Sequence, residues 1–153
     1  MTELDHTDRR ILRVLQRRGR ISNAELAEEV SLSASACHRR LARLEETGTI
    51  AGYAAHLDRA AIGLGSNVFV EVTLAAQTEE ALEAFEAAVA RIPEILECHL
   101  MAGSADYLLK IVVADTEDFA RLHRKHLARL PSVARLQSSF VLKKVRETTE
   151  LPV

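Results

Sequence analysis

No apolar run in this sequence approaches the ~18 residues that a membrane-spanning helix needs, and the N-terminal MTELDHTDRR is too polar and charged for a secretory leader. Cysteine is scarce. The two present stand far apart in sequence, which excludes a disulfide framework and suits reduced thiols. Together these absences predict a cytoplasmic protein with no membrane partner. The chain also lacks a nucleophile elbow, a phosphate-binding loop and a His–carboxylate constellation, so no catalytic residue, enzymatic activity or cofactor is expected. The pair Gly63 and Gly65 is too weak to count as a phosphate loop, and the cluster Glu79, Glu80, Glu83 and Glu86 reads as the solvated face of a helix. An excess of positive charge is missing as well, the formal net charge being −2.

What is present is an ordinary soluble composition, 48% hydrophobic and 27% charged over 153 residues, enough for one medium domain or two small ones. The charge is unevenly placed. Residues 1–50 hold nine arginines against eight acidic residues, so the first third is slightly basic while the remainder is acidic. Any affinity for duplex DNA must therefore come from a few well-placed phosphate contacts per copy. One copy binds weakly on this reading, which makes an assembly of copies a requirement.

The first third divides into three helices. Asp5 and Asp8 precede an apolar stripe of Ile11, Leu12 and Leu15 that ends near Gly19, with acidic residues in the favourable first turn. Ser22 and Glu25 have the spacing of a capping box, and Ile21 and Leu26 that of a hydrophobic staple. A second cap, Ser33, opens a third helix that Gly48 stops. On that helix Cys37, Leu41 and Leu44 fall on one side, while Ser35, His38, Arg39, Ala42 and Arg43 point broadly the other way. Hydroxyls at the start and arginines along the outer face suit insertion into the major groove. They equally describe a solvated basic surface helix.

Residues 50–57 read as extended and 58–65 as a linker. From Ser66 the alternation of Val68, Val70, Val72 and Leu74 predicts a strand. Thr78 then caps a helix with the stripe Leu82, Phe85, Val89 and Ile92, closed by Pro93. Two strands follow, 95–102 and 107–114, joined by a short Gly103–Asp106 turn. Asp115 or Thr116 caps a further helix carrying Phe119, Leu122, Leu127 and Leu130, which Pro131 ends, and a last strand runs from about Val133 to Val145. The order βαββαβ is the split ferredoxin-like arrangement. Its two helices cover one face of the sheet. The other face requires a partner, and a second copy, sheet to sheet, is the expected one.

With both halves read, the sequence resembles the Lrp/AsnC (feast/famine) family of bacterial transcription regulators. The resemblance is carried nearly end to end by LDHTDRRIL, by GRISNAELAEEVSLSASACHRRLARLEETGTIAGY, by LGSNVFVEVTL and by ECHLMAGSADYLLKIVVAD with its Gly-x-x-Asp-Tyr core. It implies an α+β chain: a three-helix winged helix-turn-helix domain over residues 1–50, a hinge strand and linker over 51–65, and a ferredoxin-like effector and oligomerisation domain over 66–153. It further implies a transcriptional regulator of amino-acid metabolism or transport, with double-stranded DNA and a free amino acid as partners. Homodimers that build an octamer or similar ring are implied too. Ala34 stands where relatives often have proline, leaving that helix start less preorganised.

Ser22, Ser33, Ser35, His38, Arg39, Arg40 and Arg43 are then the candidate DNA contacts, the serines for phosphates and Arg39, His38 and Arg43 for base edges or phosphates. Arg40 lies nearer the core edge. For the effector, Asp106 offers an anion to an ammonium group, Gly103 and Ser104 offer donors to a carboxylate, Ser138 a hydroxyl, and Leu100, Met101 and Tyr107 an apolar wall. By themselves, residues 103–107 are equally a tight hairpin turn capped by Asp106; the family resemblance favours the pocket. A metal-responsive regulator is the alternative, since Cys37-His38, Cys98-His99 and His123/His126 are ligand types. No metal site is expected from them, because adjacent Cys and His on a strand face opposite ways and two histidines do not close a site.

Overall fold

The computed structural model describes residues 3–153 and divides the chain into two compact units. One runs to His56 and includes Arg146–Val153; the other is Leu57–Val145.

The first unit holds α1 (His6–Arg17), α2 (Asn23–Glu29) and α3 (Ala34–Glu46). Local chemistry sets the ends of each. Asp5 and Asp8 form a reciprocal capping box on α1, and Ser22 and Glu25 form one on α2. Between α2 and α3 the chain reverses through Ser31 at φ 56°, with Leu32 N–H donating to the Ala27 carbonyl and Ser31 N–H to that of Glu28. Those two bonds satisfy carbonyls that the end of α2 leaves open, which offsets the strain of a left-handed serine. Gly48 at φ 71° ends the α3 segment. Ile11, Leu12, Leu26, Ala27, Val30, Cys37 and Leu44 form the core.

Residues 146–153, expected in the second domain, lie instead along α1. Gln16 exchanges two hydrogen bonds with the backbone of Leu151, Arg17 pairs with Glu150 at 3.0 Å, and Arg13 Nε donates to the Val153 carbonyl at 2.7 Å. The apolar spacing of the tail gave no sign of this.

The second unit contains β1 (Ser66–Leu74), α4 (Glu79–Val89), β2 (Ile95–Leu100), β3 (Tyr107–Val113), α5 (Thr116–Lys125) and β4 (Val133–Phe140). The sheet order is β2-β3-β1-β4, antiparallel throughout, as the ferredoxin-like order requires. Val68, Val70, Val72 and Leu74 face α4 and α5 with Tyr107, Leu109, Ile111 and Val113. Asp115, not Thr116, caps α5. That helix stops at Lys125, and a 3-10 turn at Leu127–Arg129 carries Leu127 and Leu130 into the core before Pro131. The last strand ends at Phe140 and not near Val145: Val141 N–H still bonds to Asn67, but beyond it β1 has no residues left to pair. Residues 50–57 pair with no strand of this chain among the described residues. On the sheet's other face, Phe69, Glu71 and Thr73 alternate outward and Phe69 stays 37% exposed.

Candidate DNA-binding and effector sites

The start of α3 is built from hydroxyls. Ser33 accepts from Ala36 N–H at 3.2 Å, and its hydroxyl lies 3.3 Å from that of Ser35. Asn23 Nδ2 donates to the Ala34 carbonyl at 3.0 Å, tying the start of α2 to the start of α3. Ser22 is committed to Glu25, donating its hydroxyl at 2.6 Å and accepting from the Glu25 amide. Beyond the first turn of α3 the outer face is exposed at His38 and Arg39, which make no hydrogen bond or ion pair among the described residues.

Arg40 and Arg43 are placed differently. Asp8 is fully buried, and its two carboxylate oxygens accept from Arg40 Nη1 at 2.8 Å and Arg43 Nη2 at 2.5 Å. Arg40 also reaches Asp5 at 2.6 Å, and the hydrogen bonds to Asp5 and then Asp8 raise its pKa. The Nε of Arg43 is buried without a partner, so this guanidinium is turned toward α1 and not outward. The pair expected to help grip DNA is therefore spent, at least in this state, on fastening α3 to the first turn of α1. Sequence spacing alone hid this, because Asp5 and Asp8 were fully accounted for by helix capping. The 32–35 residue separation that brings them under α3 is tertiary.

In the second unit the Gly103–Asp106 turn is held by Asp106 itself. Its carboxylate accepts from Leu74 N–H at 2.7 Å and from Gln77 Nε2 at 2.6 Å, while its own N–H donates to Val72 and its carbonyl accepts from Met101 N–H. The capping role thus uses both carboxylate oxygens. The other effector candidates separate. Leu100 and Tyr107 line a groove between α4 and β2, together with Glu86, Val89 and Cys98. Tyr107 is buried there against Phe85, with ring centroids 4.6 Å apart, and its hydroxyl donates to Glu86 at 2.7 Å. Ser104 borders a polar cavity on the open face of the sheet, with Glu71, Thr73, Arg135 and Gln137. Ser138 pairs with Val70 and so points toward the helices, on the opposite face from Ser104. Within one chain these residues do not converge on a single pocket. Period-two alternation would have put Ser138 on the same face as Val70, had the register been known.

The ligand types singled out for metal do not gather. Cys37 is buried in the first core, where desolvation pushes its thiol pKa up, and Cys98 lies in the α4–β2 groove with its pKa raised by burial. His123 sits against Phe119, with ring centroids 6.1 Å apart.

A model described as the Lrp/AsnC ligand binding domain matches residues 67–151, and one described as winged helix-turn-helix DNA-binding matches residues 4–51. The chain belongs to the Lrp/AsnC family. Among curated relatives of this family, the leucine-responsive regulatory protein of Salmonella typhimurium is 42% identical over 151 residues, spanning 99% of this chain and 92% of the relative. Among solved structures, a transcriptional regulator of Neisseria meningitidis in complex with L-methionine superposes at a TM-score of 0.94, with 42% identity, covering 98% of this chain and 97% of that one. A feast or famine regulatory protein of Mycobacterium tuberculosis, complexed with L-methionine, gives a TM-score of 0.83 at 30% identity over 97% of this chain and 99% of its own. Like those Lrp/AsnC proteins, this chain joins a helix-turn-helix unit to a ferredoxin-like ligand-binding unit. It is a DNA-binding regulator of that family.

Proposed function

We propose that this protein is a cytoplasmic, homo-oligomeric transcription regulator of amino-acid metabolism or transport whose operator binding responds to a free amino acid. Base edges are read by Arg39 and His38, with Ser35 and the first-turn N–H groups of α3 on phosphates. Arg40 and Arg43 act by orienting α3, and Ser22 by shaping the turn that precedes it. The observation that carries this is the exposure of Arg39 and His38, unpaired among the described residues, on a helix whose other two arginines are anchored to Asp8.

Assembly follows from the sheet. Its open face carries Phe69, Leu108 and Val112, and the segment after β4 exposes Val141, Leu142 and Val145. A second copy laid sheet to sheet buries such a face, and dimers of this kind supply the multiplied phosphate contacts that a nearly neutral DNA-binding unit needs. The effector is a free amino acid bound by the second unit, and it shifts the assembly by its differential affinity for the alternative arrangements.

The test is Arg39→Ala in a mobility-shift assay on an operator fragment recovered with the protein from genomic DNA. Loss of a bidentate arginine–guanine contact removes about 1–3 kcal/mol of discrimination, so the variant should bind operator and random DNA alike while keeping its oligomer size. Undiminished operator preference would refute the assignment.

A further inference from the structure

The polar cavity on the open face of the sheet has a charge pattern that the turn residues alone lack. Glu71 on β1 stands opposite Gln137 on β4, and Thr73 stands opposite Arg135. Glu71 and Arg135 are therefore diagonal neighbours on one face, with backbones about 7–8 Å apart. Both border the cavity with Thr73, Ser104 and Gln137, yet no ion pair joins them among the described residues. Arg135 donates one N–H to Gln137 Oε1 at 2.8 Å, which steadies the guanidinium and leaves other donors of its fork unused.

A carboxylate and a guanidinium that share a cavity without meeting match a ligand carrying both charges on adjacent atoms. We propose that this cavity holds the head group of a free α-amino acid, Glu71 taking the ammonium and Arg135 the carboxylate, with the Thr73 and Ser104 hydroxyls beside them. This rests on the amino-acid effector reading and assigns its polar subsite. The other anions and cavities fit less well. Asp106 already holds Leu74 N–H and Gln77. The α4–β2 groove is lined by Glu86 and Glu97 but by no cation, so it offers nothing to a carboxylate. Leu108, opposite Glu71 on β3, places apolar surface next to the cavity, which suits an aliphatic or thioether side chain. Because the site opens on the face by which copies pair, occupancy and sheet pairing are coupled.

The test is calorimetric titration of the full chain with L-methionine and L-leucine, in the parent, Glu71→Gln, Arg135→Gln and, for contrast, Asp106→Asn. Both charge-removing variants should weaken binding about tenfold or more. N-acetyl-L-methionine, which has no ammonium, should bind the parent weakly and lose nothing further in Glu71→Gln; a defect that is merely structural would weaken both ligands alike. If the parent binds and both variants bind equally well, the subsite is refuted while an amino-acid effector stands. If no standard amino acid binds the parent, the effector reading fails and the subsite fails with it.

Discussion

Replacing Asp8 with asparagine tests whether the α1–α3 clamp holds the DNA-binding unit together. The change keeps the size of the side chain and an oxygen for the capping box, but removes the charge that accepts from Arg40 at 2.8 Å and Arg43 at 2.5 Å. Removing one partner of a buried ion pair costs about 3–5 kcal/mol, because the remaining charge is stranded. Here the stranded groups are the arginines, whose side chains are 28% and 43% exposed, so water recovers part of the loss. The expected cost is about 2–3 kcal/mol, which for a unit of this size lowers its melting temperature by roughly 10 °C or more. Thermal unfolding followed by circular dichroism reads it directly. Asp8→Asn, Arg43→Met and the double variant form a cycle in which the pair should couple by about 1–2 kcal/mol. A melting curve like the parent's, with additive effects in the cycle, would show that the clamp contributes nothing. The same variant should lower operator and random-DNA affinity together, in contrast to Arg39→Ala, since a tilted α3 misplaces every contact at once.

Asp5 is held at about 2, below its ordinary 3.8, first by the Asp8 backbone N–H and then by Arg40. A carboxyl depressed in the native state stabilises it above the unfolded value and loses that effect as the pH falls through the folded one. The melting temperature should therefore drop between about pH 4 and pH 2, and by less in Asp5→Asn. Burial and then the Glu45 carboxylate raise the Tyr53 phenol to about 12, and Tyr107, buried and bonded to Glu86, lies higher still. Neither tyrosine should ionise near its usual 10 in the folded protein, and stability should fall as the pH rises beyond that value; early growth of phenolate absorbance in the native state would contradict both placements. Gly48 has φ 71° and no atom crowding the place of a Cβ. Gly48→Ala should thus cost about 1 kcal/mol in denaturant unfolding from backbone strain alone, and an unchanged midpoint would argue against that turn.

Caps and periodicity are local, and the elements that depend on them were legible in the chain. Asp5/Asp8, Ser22/Glu25 and Ser33 announced three helices, and the alternation of Val68 to Leu74 announced β1. The βαββαβ order fixed the architecture before any contact was known, because few ways exist to bury one face of such a sheet. What the chain alone left undecided depends on partners distant in sequence. Asp8 reads as a capping residue until α3 folds over it, and only then does it claim Arg40 and Arg43. Ser104 and Ser138 read as one site until the pairing of Val70 with Ser138 puts them on opposite faces, while the same register brings Glu71 beside Arg135. A one-residue slip would exchange those faces. Local hydrogen bonds thus determined the helices, their ends and β1, whereas strand register and helix docking decided which charged side chains are free to act.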